Sequence, residues 1–590
     1  MRKKVTFEKG ETKQLIKKLW KYFRPYKWYM VLLFVISSIG CVLVALSPFL
    51  LKTFVQDISD LFQTSNVAIN KIITEGLIII IFLVAGNICQ TLLFVFMAVY
   101  AQKIASVLRK EMTEKFDKIP LKRYDKTTIG DLSSRLSNDA SDVGESSASA
   151  LASIVNAVVL LVALLIAMFI SSWQLSLVSL VTLPCGFALM ALVAKKSDKH
   201  YKSRQKYLGA VTGKLEEVYS GLSVMRIFNT QKKETKVFSE ANNELRKSWV
   251  LVNFFSGLFQ PIMSFTGNLG YVGIAFVAAL MAKHDPQSLV LIPSFIMFVG
   301  QLQNPLSTIA GNISTLQTAL GGARRIFELL DAEEEWDEST ITKVIKKPKG
   351  NIQFHHVRFG YDPGKEIIHD FNLKIKKGSK VAIVGPTGSG KTTIVNLLMR
   401  FYELNSGSIR VDGVNIKEIK REDVRKLFGM VLQDSWTFEG TIKENIIYTT
   451  PDVSKKKLVA ACKVANIDHV IKTLPDGYKT VLNESSTLSV GEKQLLTIAR
   501  AILQDSPFII LDEATSSVDT QTEQKIQDAM DKLIKGRTSF VIAHRLSTIK
   551  NADIILVLKD GNIIEQGSHK QLIKKHGFYE ELYNSQFADN

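Results

Sequence analysis

The chain has 590 residues, a net charge of +18 and a hydrophobic fraction of 46%, with a mean hydropathy of +0.11, so it is long enough for several domains. Most long apolar runs lie before about residue 310, and Lys and Arg cluster between those runs. This pattern favours an anionic membrane face over nucleic acid as the partner of the positive charge, and no basic patch with interleaved aromatic residues indicates nucleic-acid binding.

The first half of the sequence predicts a membrane bundle. Residues 1–27 are basic, and an amphipathic patch around Trp20 predicts a helix on the cytoplasmic membrane surface. Six apolar runs follow, each long enough for the about 20 residues that a helix needs to cross a hydrocarbon core of about 30 Å. The predicted spans are at about 28–51, 77–100, 148–170, 173–194, 249–281 and 288–310.

The connections between the spans indicate the orientation. Connections 101–147 and 195–248 are long and rich in Lys and Arg, whereas connections 171–172 and 282–287 carry almost no basic residues. Because positive charge marks the cytoplasmic side, both termini are expected in the cytoplasm, and the loop at 52–76 is expected outside. The two long connections are predicted to be helical continuations of the spans.

Polar side chains are scarce within the predicted spans. No Asp, Glu, Lys or Arg lies in the middle of a span, which argues against a proton relay or ion conduction and favours a cavity for apolar or amphipathic molecules. Intramembrane polar groups tend to face such a cavity or a partner helix. Those singled out are Asn87, Gln90, Gln260, Asn268, Gln301, Gln303 and Asn304.

A glycine-rich stretch between a predicted strand and a predicted helix indicates a phosphate-binding loop. Residues 385–393 read GPTGSGKTT, after the apolar run 380–384 and before the helical pattern 394–400. Lys391 is predicted to reach the β- and γ-phosphates of a nucleoside triphosphate, and the Thr392 hydroxyl to bind Mg²⁺. The predicted nucleotide contacts are Gly385, Pro386, Thr387, Gly388, Ser389, Gly390, Lys391, Thr392 and Thr393.

A second buried strand is predicted at 508–512, and it ends in two carboxylates, Asp512 and Glu513. An acid at the end of a strand beside a phosphate loop can hold Mg²⁺, directly or through water, and Asp512 is predicted to do so. Glu513 is predicted to polarise the attacking water as a general base.

Taken together, these motifs resemble ATP-binding cassette (ABC) exporters of the six-helix half-transporter kind over nearly the whole chain. The resemblance implies that Tyr361 stacks on adenine and that Gln433 senses Mg²⁺ and contacts the membrane domain. It also implies that Asp519 couples two ATP sites and that His544 contacts the γ-phosphate as a catalytic switch.

The same resemblance defines the expected fold and domains. Segments 119–131 and 217–228 resemble the intracellular coupling regions of this family. The expected fold is a membrane α-helical bundle at 1–330 fused to an α/β P-loop NTPase domain at 351–590. A charged, solvated linker is predicted at 331–350.

One segment departs from the family pattern. The signature segment is usually Leu-Ser-Gly-Gly-Gln, but here residues 488–492 read Leu-Ser-Val-Gly-Glu. In the family this segment caps the γ-phosphate of the ATP held by the other subunit, so Ser489 and Gly491 are predicted nucleotide contacts. Val490 adds a β-branched side chain, and Glu492 adds negative charge near a phosphate, so closure on that ATP is expected to weaken.

The asymmetry between intact Walker residues and a degenerate signature resembles one subunit of bacterial heterodimeric multidrug exporters. The hypothesis is ATP-driven, Mg²⁺-dependent export of hydrophobic or amphipathic compounds across the bacterial cytoplasmic membrane. The second half-transporter would be a different chain with an intact signature. Alternatives are a homodimeric lipid or peptide exporter, an importer, and an ATP-gated channel or sensor.

Overall fold

The computed structural model describes residues 10–64, 69–432, 435–450, 452–483, 488–512, 518–542 and 549–587. The chain divides into two compact units. The first contains Met1–Asp117 and Ile129–Ala332, and the second contains Lys118–Thr128 and Glu333–Asn590.

The described residues between 10 and 332 are almost entirely helical. The helices are α1 Glu11–Phe23, α2 Lys27–Thr64, α3 Ile69–Phe116, α4 Leu121–Tyr124, α5 Ile129–Ser134, α6 Ala140–Ser171, α7 Trp173–Ser220, α8 Leu222–Ile227, α9 Gln231–Gly257, α10 Phe259–Met281 and α11 Leu291–Leu330. By length and composition, the described residues contain six candidate membrane spans. Their number agrees with the sequence prediction, and the helices extend far beyond the apolar runs, as predicted for the long connections.

Two features of the spans differ from the prediction. The expected outer loop at 52–76 is largely helical, because α2 continues to Thr64 and α3 begins at Ile69. The fifth span is two helices, since α9 ends at Gly257 and α10 begins at Phe259. Pro261 lacks an N–H to donate to the Gly257 carbonyl, and the two helices meet at Leu258, which keeps helical φ and ψ angles.

Glycines bring α2 and α3 into backbone contact. A Cβ on Gly40 would lie 2.7 Å from the Gly86 carbonyl oxygen, and a Cβ on Gly86 would lie 2.7 Å from Val44 Cγ2. Small residues at such crossings allow helices in lipid to approach closely and pack. A larger apolar core joins α2, α6, α7, α10 and α11 around Leu164, Ile274 and Phe298.

A polar network crosses three of the spans. Asn156, on α6, donates through Nδ2 to Gln90 Oε1 at 3.2 Å and accepts from the Ser37 hydroxyl at 2.8 Å. The Cys41 thiol lies 3.0 Å from the same amide oxygen. Of the polar span residues singled out from sequence, Gln90 is therefore held by a partner helix. Asn156 was missed because it lies alone in an otherwise apolar run.

Helix α1 has one buried and one exposed face. Leu15, Leu19 and Phe23 are buried, whereas the Trp20 side chain is 52% exposed. At the buried side, the Tyr22 hydroxyl donates to Glu111, on α3, at 2.5 Å. The predicted surface helix is thus also attached to the helical unit.

The second unit contains three sheets within the residues that the structure describes. Its strands are β1 Ile352–Phe359, β2 Ile368–Ile375, β3 Lys380–Val384, β4 Ser406–Val411, β5 Val414–Asn415, β6 Phe428–Val431, β7 Gly440–Thr441, β8 Val481–Leu482, β9 Phe508–Asp512, β10 Thr538–Ile542, β11 Ile554–Lys559 and β12 Asn562–Gly567. The sheet orders are β2-β1-β4-β5, β12-β11-β3-β10-β9-β6 and β7-β8. The central strands β11, β3, β10, β9 and β6 are mutually parallel.

Helices complete this unit. They are α12 Lys391–Leu398, α13 Arg421–Lys426, α14 Ile442–Ile446, α15 Lys455–Val464, α16 Asp468–Thr473, α17 Val490–Gln504, α18 Thr520–Ile534, α19 His569–Lys574 and α20 Phe578–Phe587. One apolar core lies around β1, β2, β3 and α12, and a second joins α14, α15, α17 and α18 to one side of the parallel sheet. The α/β class predicted for this half is confirmed.

Part of the predicted membrane domain groups with the second unit instead. Residues 118–128 join it because the Tyr402 hydroxyl donates to the Asp125 carboxylate and Lys126 Nζ lies 2.8 Å from Asp362 Oδ1. Most residues of the predicted linker are exposed, but one of its acidic side chains is held by the cassette. Glu338 is ion-paired with Arg421 at 2.9 Å, and its side chain is only 15% exposed. Opposite charges on the cassette surface therefore hold this acidic stretch.

We predict that Gly86→Ala destabilises the helical unit by about 1–3 kcal/mol, because the new methyl group overpacks the α2–α3 crossing. Gly213→Ala is the matched control, since a Cβ at that helical position would meet nothing within 4 Å. The measurement is the temperature at which the detergent-solubilised protein loses its monodisperse elution peak. Equal loss temperatures for both variants would contradict the packing assigned to Gly86.

Candidate nucleotide-binding site

The predicted phosphate loop lies between β3 and α12, at the carboxyl edge of the parallel sheet. Gly385 has no room for a side chain, because a Cβ there would lie 2.2 Å from the Leu558 carbonyl oxygen of β11. Gly388 and Gly390 have φ values of +85° and +97°, a region that side chains disfavour. These glycines let the loop fold tightly and end at the N-terminus of α12, where unpaired amides favour an anion.

Lys391 lies over this loop. Its Nζ donates to the carbonyl oxygens of Gly385 at 2.9 Å and Pro386 at 3.0 Å. Burial lowers the pKa of the Lys391 ammonium, and the charge of Asp512 opposes that shift. A desolvated ammonium held only by neutral carbonyl oxygens is suited to exchange them for phosphate oxygens.

Hydroxyl groups line the loop and the first turn of α12. Ser389 is buried, and its Oγ has no hydrogen-bond partner within the protein, so it is available to a phosphate oxygen or a water. Thr392 is exposed, whereas Thr393 is buried and its Oγ1 lies 3.3 Å from the Tyr361 hydroxyl. An unsatisfied hydroxyl beside a helix N-terminus agrees with the chemistry of a phosphate cradle.

Tyr361 packs beside the loop. Its ring makes edge contacts with Phe359 and Tyr402, at centroid distances of 5.0 Å and 4.9 Å. Its hydroxyl accepts from Asn396 Nδ2, on α12, at 3.3 Å. The structure thus brings Tyr361 to the phosphate-loop helix, and its stacking on adenine stays a prediction.

Asp512 ends β9 at the same sheet edge. Asp512 pairs with Ile542 of β10, and Ile542 pairs with Ile383 of β3, two residues before Gly385. This register accounts for the electrostatic effect of Asp512 on Lys391. The other predicted chemical groups, Gln433, Glu513 and His544, lie outside the described residues.

The signature segment forms a second cluster with the start of α18. The Ser489 hydroxyl accepts from Glu492 N at 3.3 Å, and the Glu492 carboxylate accepts from Ser489 N at 2.7 Å. This reciprocal arrangement is a capping box, and it fixes the Glu492 carboxylate at the N-terminus of α17. Val490 projects into solvent, with 62% of its side chain exposed.

Gly491 and Asp519 meet at this cluster. A Cβ on Gly491 would lie 2.5 Å from Thr522 Cγ2, so only glycine lets α17 pack this closely on α18. Asp519 caps α18 by accepting from Thr522 N at 2.9 Å, and this hydrogen bond lowers the pKa of the Asp519 carboxyl. The structure thus places Ser489, Gly491 and Asp519 at one cluster, while their contacts with nucleotide stay predictions.

Among the described residues, no cluster of three or more His, Cys, Asp or Glu side chains could hold a metal ion by itself. Nucleotide-bound Mg²⁺ does not need one, because it takes one or two protein oxygens together with phosphate oxygens and water. The Thr392 hydroxyl and the Asp512 carboxylate are oxygen ligands of the required kind.

Sequence reasoning missed the charged groups behind the loop. Arg400, two residues after α12, is 1% exposed and is ion-paired with Glu338 and Glu403, both at 3.0 Å. Arg400 lies between two apolar residues, Met399 and Phe401, which indicates that its side chain is buried. A buried guanidinium needs acidic partners. The acidic stretch 333–338 offered such partners.

Comparisons with known proteins agree with this arrangement. The family "ABC transporter transmembrane region" matches residues 30–306, and the family "ABC transporter" matches residues 368–516. A fatty acid ABC transporter ATP-binding/permease protein of Mycobacterium tuberculosis is 42% identical over 482 residues, covering 82% of this chain and 76% of its own length.

Two further similarities cover nearly the whole chain. An ATP-dependent lipid A-core flippase of Legionella pneumophila is 35% identical over 590 residues, 98% of this chain and 97% of that protein. The solved structure of a bacterial Atm1-family ABC exporter with ATP bound has a TM-score of 0.72 and 25% identity, covering 96% of this chain and 98% of that one.

We predict that Lys391→Ala lowers retention of labelled ATP about 10–100-fold, because it removes a charge-assisted hydrogen bond to phosphate worth ~1.5–3 kcal/mol. The measurement is filter retention of radiolabelled ATP by the purified protein. Lys456→Ala, on the exposed side of α15, removes the same charge and should retain ATP normally. Normal retention by both variants would contradict the role of Lys391.

Proposed function

Because this chain belongs to the ABC transporter family, as an exporter half-transporter with one transmembrane and one nucleotide-binding domain, we propose that it powers export of amphipathic compounds as one half of a heterodimer. It is a multi-pass membrane protein and an ATP-hydrolysing translocase. ABC exporters work as dimers, and a single chain contributes one cassette. ATP acts by binding two conformations of such an assembly differently.

In the proposed site, this chain holds ATP on its own phosphate loop. Lys391, Ser389 and the amides of α12 bind the phosphates, while Thr392 and Asp512 hold Mg²⁺. Support comes from the unsatisfied buried Ser389 hydroxyl and from the charge of Asp512 acting on Lys391. Glu513 and His544 supply the general base and the γ-phosphate contact.

The capping box at the signature carries the heterodimer proposal. In a closed dimer the signature faces the γ-phosphate held by the partner, and the α17 amides would stabilise that anion. Here the Glu492 carboxylate already occupies the amide of Ser489, at 2.7 Å. A glutamine in the same box would make this hydrogen bond without negative charge. The signature of this chain is therefore matched to a site that does not need efficient hydrolysis.

The proposed orientation follows the charge of the helical extensions. Lys and Arg residues are frequent in three helical segments. These are the C-terminal part of α3, the C-terminal part of α7, and α9 up to Lys247. We place these extensions and both termini in the cytoplasm, across a bacterial cytoplasmic membrane. The cassette then has direct access to cytoplasmic ATP.

The proposed cargo has a long apolar part. A cavity of about 220 Å³ opens between α2 and α6, and such a lining suits an acyl chain better than a hydrophilic peptide. Fatty acid and lipid A, named for two relatives, both carry acyl chains. Drug-like amphiphiles are the second candidate cargo. The lining is apolar throughout: Val42, Ala45, Leu46, Phe49, Ala163, Ile166, Ala167 and Ile170.

For the heterodimer, we predict that the chain purified alone turns over ATP slowly and that the double variant Val490→Gly, Glu492→Gln raises this turnover about tenfold, or ~1.4 kcal/mol. The physical reason is the removal of a negative charge and a β-branched side chain from the face that closes on phosphate. The measurement is phosphate release by the lone chain in lipid nanodiscs.

The matched control is Glu444→Gln, which removes the same charge from an equivalent capping box, formed with Thr441 at the start of α14. It should leave turnover unchanged. Fast ATP turnover and cargo movement by the unmodified lone chain would instead establish a homodimer.

For the cargo, we predict ATP-dependent movement of nitrobenzoxadiazole-labelled phosphatidylethanolamine across reconstituted vesicles, and Ala163→Phe should reduce its rate about fivefold by filling the cavity. Ala98→Phe, on an exposed face of α3, is the control. Movement of a bis-benzimide dye but not of the labelled lipid would favour the multidrug alternative. Movement of either probe only down its gradient would indicate a channel.

A further inference from the structure

Three tyrosine rings meet at one end of the apolar parts of α2 and α3. Tyr26 is the last residue of the short 3-10 turn Arg24–Tyr26 between α1 and α2, and its ring centroid lies 5.0 Å from that of Tyr100, on α3. The centroid of Tyr29 lies 6.3 Å from that of Tyr100. Because the predicted spans begin at about 28 and end at about 100, these rings lie at one boundary of the membrane, where tyrosine is enriched.

The Lys103 ammonium lies against two of these rings. Its Nζ is 5.8 Å from the centroid of Tyr26 and 5.6 Å from that of Tyr100, and at such distances the ring quadrupole attracts a cation. Lys103 is exposed, and it forms no ion pair within the part of the chain that the structure describes. The rings thus hold the ammonium in place without neutralising it, so its charge is available to an anion.

Two further cations lie next to this cluster along the chain. Arg24 is at the start of the 3-10 turn, and Lys27 directly follows Tyr26; both are exposed. Lys27 Nζ lies 5.4 Å from the ring centroid of Trp28, which is 74% exposed. This end of the α2–α3 pair therefore combines three positive charges with aromatic rings that face out of the fold.

The acidic side chains on the helices packed against Lys103 are engaged with other groups. On α3, Glu111 accepts from the Tyr22 hydroxyl of α1 at 2.5 Å. On α6, Glu145 accepts from Gln102 Nε2 at 2.8 Å. The cluster therefore has a positive balance, and an anion from outside the chain is its natural counter-charge.

We propose that Tyr26, Tyr100 and Lys103 form the core of a binding site for the phosphodiester headgroup of an anionic phospholipid, with Arg24 and Lys27 as outer cations. A phosphodiester carries a single negative charge, and its oxygens can accept hydrogen bonds from the ammonium and from tyrosine hydroxyls. Basic pockets between helices at a membrane face bind lipid headgroups in this way.

The surroundings favour a lipid over a free phosphate as the occupant. Phe96 lies one helical turn before Tyr100, and Val99 lies one turn before Lys103, so each pair shares a face of α3 that continues into the membrane part. Phe96 is 45% exposed and Val99 is 48% exposed. An acyl chain can cover these side chains, whereas a free phosphate gains nothing from them. The proposal requires a membrane-spanning chain but neither the heterodimer nor the proposed cargo.

The test measures lipid binding to the full-length protein in detergent by native mass spectrometry. Dioleoyl phosphatidylglycerol and dioleoyl phosphatidylcholine are titrated separately, because they share their acyl chains and differ in net charge. We expect the parent to bind phosphatidylglycerol more tightly. Lys103→Gln should lower the affinity for phosphatidylglycerol about fivefold, the effect of one lysine near an anionic lipid, and leave that for phosphatidylcholine unchanged.

Lys195→Gln is the matched control. Lys195 is also exposed and directly follows the apolar run 173–194, but it contacts no aromatic ring among the described residues. This variant should bind phosphatidylglycerol like the parent. Equal losses in Lys103→Gln and Lys195→Gln would show a general attraction between basic helix ends and anionic lipid, and would overturn the proposed site. Equal affinities of the parent for the two lipids would also overturn it.

Two more variants separate charge and ring contacts from folding. Lys103→Arg should keep the affinity, because a guanidinium also stacks on tyrosine and pairs with phosphate. Tyr100→Leu should lower the affinity about two- to fivefold, since it removes one cation–π contact. All variants should retain labelled ATP like the parent. A Lys103→Arg protein that binds phosphatidylglycerol as weakly as Lys103→Gln would contradict the assignment of the charge.

Glycerophosphoglycerol, the soluble headgroup without acyl chains, distinguishes the lipid from a free phosphate compound. At a concentration equal to that of phosphatidylglycerol it should not displace the lipid, and displacement would overturn the lipid as the occupant. Binding is measured without ATP and without cargo. Failure of labelled phosphatidylethanolamine to move would therefore overturn the proposed cargo and leave the result on this site unchanged.

Discussion

The contact between the phosphate loop and strand β11 is the constraint on which the nucleotide site depends. Gly385 turns directly against the Leu558 carbonyl oxygen, with no space for even a methyl group. Because β11, β3, β10 and β9 are adjacent and parallel, this turn fixes the loop at the edge where Asp512 ends its strand. The positions of the predicted phosphate and Mg²⁺ ligands are therefore set by one backbone contact and one sheet register.

Elements whose structure depends on nearby residues could be predicted from the sequence alone. The phosphate loop, its strand and its helix were predicted because glycines, a lysine and flanking apolar runs lie within about twenty residues. The six spans were predicted because a membrane imposes a minimum apolar length. The roles of Glu513, His544 and Gln433 depend on the family resemblance and stay predictions, since those residues lie outside the described ones.

Contacts between distant segments were not predictable in this way. The acidic run at 333–338 has the composition of a solvated linker, and only the fold reveals that Arg400 and Arg421 receive it. Likewise, Asn156 gains its role from Ser37 and Gln90 on two other helices. A single sequence contains no information on which long-range partner a buried charge or amide will find. The signature segment could be predicted only in part. Its unusual residues are evident from the sequence, but the capping geometry of Glu492 is not.

The break in the fifth span has a further consequence. At Pro261 one backbone hydrogen bond is already absent, so tilting α10 relative to α9 disrupts one hydrogen bond fewer than in an unbroken helix, although Leu258 N still donates to Phe254 O at 3.2 Å and Ile262 N to Leu258 O at 3.0 Å. The membrane half thus contains a weakened helical junction at Leu258, close to Pro261. The other proline-bearing helices, α2, α7 and α11, continue through their prolines as single elements. Bending of the fifth span is therefore expected at the junction between α9 and α10.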